Sequence, residues 1–237
     1  MISKRLPWCF FFLLFPLLLF GQVTETERSG WGVEFFPHLA NNRLINGSTL
    51  GFREARRRDS LEVATFGYGV GVFYALRGEK LGYHLGVRLL STGYETLRGP
   101  FDLELTNDEY SEEFTATLLE IPFQLNFYQN LSPKASFFFT LGAMAGINLQ
   151  NKTVRTRYFT DGSVTTEDFE PNVTYRSVNF GMIAALGFEF NASKNLTLGI
   201  QPNFEYWLGG NVSQSEDGLT RNFYTLGAKV YAMFARE

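Results

Sequence analysis

The stretch EVATFGYGVGVFYALR, residues 62–77, alternates along its whole length. Its even positions Ala64, Phe66, Tyr68, Val70, Val72, Tyr74 and Leu76 are apolar and mostly large. The odd positions between them, Thr65, Gly67, Gly69, Gly71, Phe73 and Ala75, are mostly small. Period two is the side-chain repeat of a β-strand, whose successive residues face opposite ways. One face of this strand is wide and greasy, and the other is nearly bare. Lipid on one side and the crowded interior of a small closed sheet on the other would ask for that pair of faces.

The same pattern recurs along the 237 residues. WGVEFFPHLA (31–40), LGYHLGVRLLSTGY (81–94) and FTATLLEIPFQLNFY (114–128) each set large apolar residues against Gly or polar ones. So do FFFTLGAMAGINLQ (137–150), SVNFGMIAALGFEFN (177–191), LTLGIQPNFEYWL (196–208) and FYTLGAKVYAMF (223–234). With residues 62–77 these make eight segments, each reaching the roughly 9–11 residues of a membrane-spanning strand. The connections alternate in length. Long ones cover about residues 41–61, 95–113, 151–174 and 209–222, and short ones are RGEK (77–80), QNLSPKA (129–135) and NASKN (191–195). Long outer loops and short periplasmic turns are the layout of outer-membrane barrels. The expected fold is therefore all-β, an eight-stranded antiparallel transmembrane β-barrel with four long outer loops and short periplasmic turns.

Composition agrees with a β protein: 25 Phe, 23 Gly and only 8 Pro. Residues 1–21 read as a signal peptide, with Lys4 and Arg5 ahead of the apolar run Leu6–Phe20 and the small Gly21 behind it. Residues 22–237 are expected to form a single barrel domain. A net charge of −3 suggests no nucleic-acid partner. The single cysteine, Cys9, excludes an intramolecular disulfide framework. A soluble lipocalin-like ligand-binding barrel is the main alternative, and it would turn its polar faces to water. Here those faces are rich in Gly and poor in Lys and Glu pairs, whereas the apolar faces carry Phe and Tyr near the strand ends.

LLEIPFQLNFY (118–128), FFFTLGAMAGINLQ (137–150) and LLLFGQ (17–22) resemble the PorT-like family of bacterial outer-membrane β-barrels. The resemblance runs from about Trp31 to Phe234. It implies a location in the outer membrane of a Gram-negative cell, and some family members are linked to protein secretion and gliding. Secretion-system proteins are thus implied partners. Such barrels are handed to the barrel-assembly machinery through a terminal aromatic residue, and Phe234 lies three residues from the end of this chain.

Chemistry is sparse. His38 and His84 are the only histidines, expected at opposite heights of the lumen and so not in one metal site. An enzyme modifying lipid A would need a Ser–His pair oriented by an acid, and His38 with Ser48 is the pair the chain offers. Phosphate loops, dinucleotide fingerprints and EF-hands are absent, so no cofactor is expected. The inward parity instead collects Glu34, Arg88, Glu120, Glu189, Glu205 and Lys229, which are expected to form an ionic plug in a lumen too narrow for a channel. Arg88 and Glu120 are expected to be partners on adjacent strands. Outside, Arg56, Arg57 and Arg58 in the first loop are candidate contacts for lipopolysaccharide phosphates. The expected function is a non-catalytic barrel that presents its outer loops or supports envelope and secretion processes.

Overall fold

The computed structural model describes residues 26–46, 52–99, 109–215 and 219–236. The expected signal segment 1–21 and Ser48 lie outside the described residues. The described residues begin with the long strand β1 (Thr26–Asn46), followed by the helix α1 (Phe52–Leu61) and the two-residue β2 (Glu62–Val63). Then come β3 (Thr65–Gly78), β4 (Leu81–Thr96), β5 (Glu109–Ser132) and β6 (Ala135–Tyr158). The short strands β7 (Val164–Phe169) and β8 (Val173–Tyr175) precede β9 (Val178–Asn191) and β10 (Leu196–Leu208). The chain ends in β11 (Val212–Ser215) and β12 (Leu219–Arg236).

Every pairing among these strands is antiparallel. Following the partners from β1 through β3, β4, β5, β6, β9, β10 and β12 leads back to β1, so eight long strands form one sheet closed on itself. Closure leaves none of these strands with an unpaired edge along its central part, which is what a hydrocarbon surround demands.

The described residues contain twelve strands, not the expected eight, and the difference lies in the regions read as outer loops. Residues 151–158 continue β6, pair with β5 from Ala116 back to Glu109, and turn into β7. Gly162, at φ +86°, makes that turn, and the Asp161 carboxylate accepts from the backbone N of Ser163 at 2.8 Å. The sequence NKTVRTRY (151–158) has no apolar face, and its strand is held by ladder hydrogen bonds to β5 and β7. Strands β5 and β6 are 24 residues each, about twice what crossing the membrane requires. The first loop holds α1, and β8 pairs with β11 in a separate two-stranded sheet. At the other end the turns are tight, with only Glu79–Lys80 between β3 and β4 and Pro133–Lys134 between β5 and β6.

Burial follows the alternation. In β9 every second residue from Val178 to Phe190 is exposed and every residue between is buried. Exposed apolar side chains girdle the sheet, among them Trp31 (66% exposed), Phe66 (68%), Phe180 (61%) and Leu226 (60%). So extensive an apolar belt has no counterpart on a monomer facing water. Inside, glycines make room for rings. A Cβ at Gly32, Gly187 or Gly199 would overlap the tip of Phe73, Phe138 or Tyr231, respectively.

Candidate functional site

The ladder between β4 and β5 sets Arg88 opposite Glu120, both on the inward parity. On the other side of Arg88 is Gly71, and on the other side of Glu120 is Gly146, so no side chain competes for the same height. Arg88 Nη2 donates to Glu120 Oε1 and Oε2 at 2.7 and 2.8 Å. It also donates to Glu205 Oε1 on β10 at 2.6 Å. The guanidinium lies 4.6 Å from the ring centre of Phe36, and both carboxylates and the arginine are wholly buried.

Glu34 of β1 takes a second position in this group. Lys229 Nζ is 3.5 Å and His84 Nε2 3.3 Å from its Oε2, so it is held by the charge of Lys229 with the His84 ring alongside. Lys229 donates to Gln124 Oε1 at 3.0 Å, and Asn203 Nδ2 donates to Glu205 at 2.8 Å. Such a network is costly to open, because each member is a partner for another in a fully buried place.

Glu189 does not belong to it. Its carboxylate accepts from Arg77 Nη1 at 2.9 Å, from Tyr231 OH at 2.7 Å and from Tyr128 OH at 3.2 Å, nearer the tight turns. Arg77 also donates to Ser136 Oγ at 2.6 Å and Asn130 Oδ1 at 2.9 Å. A ring layer of Phe73, Phe138, Tyr231 and Met233 separates the two groups. The six charges read as one plug are therefore divided between two polar layers, and Arg77, His84 and Gln124 complete them. Arg77 stands on the same parity as Phe73 and Ala75, a signal hidden by its place beside a turn sequence.

Above the central charges a second apolar layer holds Phe36, Leu90, Leu118, Met144, Ile183 and Trp207. His38 stacks on Phe36 at 4.7 Å, with Nδ1 3.1 Å from the Phe36 carbonyl oxygen. His84 stacks on Phe73 at 4.2 Å. Among the described residues no group of three His, Cys, Asp or Glu side chains is placed to hold a metal ion. Beyond this layer the sheet opens into an outer cavity of about 400 Å³ between the extramembrane parts of β4, β5, β6 and β12 and the short strands β7, β8 and β11. A smaller cavity of about 250 Å³ lies at the end with the tight turns, beside Arg28 and Arg77.

The arginines of the first loop lie on α1, where Arg56 is exposed and Arg57 half-buried. Consecutive positions on a helix diverge by roughly 100°, so Arg56 and Arg57 leave α1 in different directions.

Residues 20–211 match the family model described as outer membrane protein beta-barrel domain. The chain belongs to that family. It is accordingly an outer-membrane protein, set in the lipid bilayer by the exposed apolar belt. No curated protein matches it. Among solved structures, Neisserial surface protein A is 15% identical, with 87% of this chain and 99% of that chain covered and a TM-score of 0.41. The outer membrane protein OprG from Pseudomonas aeruginosa is 10% identical, covering 87% of this chain and 97% of its own, with a TM-score of 0.35. The outer membrane protease OmpT from Escherichia coli is 9% identical, covering 89% and 97%, with a TM-score of 0.44.

Proposed function

We propose that this family member is a sealed, non-catalytic barrel of eight transmembrane strands whose purpose is to hold its extramembrane strands outside the cell. The layering of the lumen carries this reading. Two charged layers and two ring layers alternate along the axis, and Arg88, Glu120, Glu205, Lys229, Phe36 and Phe138 are all without solvent exposure. A solute would have to displace paired charges to pass. The purified protein in planar bilayers should give no conductance above that of the protein-free membrane. Discrete channel openings would overturn the reading.

The absence of catalysis is supported by the surroundings of the histidines. His38 is turned to a backbone carbonyl and His84 to Glu34, and neither is bonded to a hydroxyl among the described residues. Membership of the PorT-like group, with a role in secretion and insertion by the barrel-assembly machinery, is supported by the motif around Glu120-Ile121-Pro122. Deleting the gene should then reduce secreted protein in the culture medium, and an unchanged secretome would remove that role.

Lipopolysaccharide contact through α1 rests on exposed Arg56 and its neighbours, whose guanidinium groups suit phosphate oxygens. Replacing Arg56, Arg57 and Arg58 together by Ser should lower the lipopolysaccharide that co-purifies by about tenfold or less, since exposed charge pairs are individually weak. Equal co-purification would exclude the contact.

A further inference from the structure

The outer cavity has a lining that a sealed lumen does not explain, and that lining is the same whether or not the lumen conducts. Its volume of about 400 Å³ falls in the range of small-molecule sites, roughly 300–1,000 Å³. One side is a set of rings lying nearly parallel. Phe114 is 5.9 Å from Phe223 at 14°, 5.9 Å from Tyr175 at 22°, and 5.3 Å from Tyr94 at 26°. Two ion pairs frame the rings: Glu62 with Arg221 at 2.9 Å and Glu112 with Arg155 at 2.6 Å. Their charges cancel pair by pair.

Polar groups remain open beside the rings. Glu62 Oε2 has no hydrogen-bond partner although its side chain is only 4% exposed. Asn42 stands beside Glu62 and faces Phe223 across the β1–β12 ladder. No well-aligned hydrogen bond joins it to that carboxylate, and both its Oδ1 and its Nδ2 are left open. Burial pushes the Glu62 carboxyl up from its ordinary range, with Arg221 opposing the shift. An aromatic cluster, balanced charge and an open carboxylate oxygen are thus gathered at one recess, with Asn42 behind Glu62.

We propose that this outer cavity binds a neutral sugar ring, free or at the end of a glycan chain. A sugar ring has a C–H face to lay on aromatic rings and a rim of hydroxyls that both donate and accept. A hydroxyl serves Glu62 Oε2 whether or not that carboxyl holds a proton. A purely aromatic molecule would meet the rings and leave Glu62 Oε2 unsatisfied, which is unfavourable. A cation would meet Arg155 and Arg221, and an anion would meet Glu62 and Glu112.

The test uses the full chain in detergent, titrated by calorimetry with glucose, galactose, mannose and N-acetylglucosamine and with their short oligosaccharides. At least one sugar should bind with a Kd of about 1 mM or tighter. Binding of the monosaccharide alone assigns a free sugar, and tighter binding of its oligosaccharide assigns a glycan end. Tyr175 lies on β8, outside the closed sheet, so Tyr175→Ala should keep the folded gel form while weakening binding about tenfold. Tyr175→Phe should retain binding, because the ring is kept. Glu62→Gln is a second variant and should also weaken binding, because it breaks the framing pair with Arg221. The proposal fails if no sugar binds, or if Tyr175→Ala and Glu62→Gln both bind as the parent does. It fails equally if tetramethylammonium, benzoate or benzyl alcohol binds in place of the sugars.

Discussion

Arg88→Met should cause one of the largest losses of stability among single lumen substitutions, read as a lower temperature for loss of the fast-migrating, unboiled gel form. The guanidinium serves Glu120 and Glu205 together, and all three side chains are fully buried. Removing it leaves two carboxylates near each other with no cation between them. Breaking a buried pair in this way typically costs about 3–5 kcal/mol. Glu120→Gln should cost less, because Arg88 keeps Glu205 and the amide can still accept. Arg88→Glu should be at least as damaging as Arg88→Met, since it adds a third carboxylate. Combining Arg88→Glu with Glu120→Arg should return part of the loss. The double change swaps the two charges across the β4–β5 ladder, so a guanidinium still faces a carboxylate there and Glu205 stays within the same layer. Melting of Arg88→Met at the parent temperature would mean that the charged layer contributes nothing to holding the barrel together.

That pairing could be reasoned from the sequence because parity along a strand is fixed by geometry, and both residues lie a similar distance from a short turn. The grouping of the other charges could not. It depends on register around the whole closed sheet, and register across the long outer connections is unspecified until the strands are placed. Glu189 and Glu205 have the same inward parity on neighbouring strands, yet they belong to different layers.

The membrane part of the fold was legible for a related reason. Lipid forces an apolar residue at every second position, so the strands announce themselves wherever they cross it. Past Gln150 that demand ends. Residues 151–158 and 164–169 pair as strands with polar residues on both faces, and no period-two signal marks them. The outer cavity was illegible throughout, because Glu62, Phe114, Tyr175 and Arg221 reach it from four distant parts of the chain.

Gly187→Val should also destabilise the barrel, by a mechanism that involves no charge. Gly187 faces Phe138 directly in the β6–β9 ladder, and the ring of Phe138 occupies the space where a Cβ would stand. The ring cannot easily turn aside. Tyr128 lies 5.3 Å away from it, and Phe73, Tyr231 and Met233 fill the same layer. Overpacking of a filled interior costs about 1–3 kcal/mol and sometimes more. Phe138→Ala alone should also be harmful, by about 3–5 kcal/mol, because it leaves a void between the two polar layers. The two changes together should not add. Valine at 187 would enter the space that the ring vacates, so the double variant should melt well above the temperature expected from the sum of the single losses. A coupling of roughly 1–3 kcal/mol is expected for groups that share one cavity. Strict additivity would mean that Gly187 is not there to admit Phe138, and that some other feature of β9 keeps that position bare.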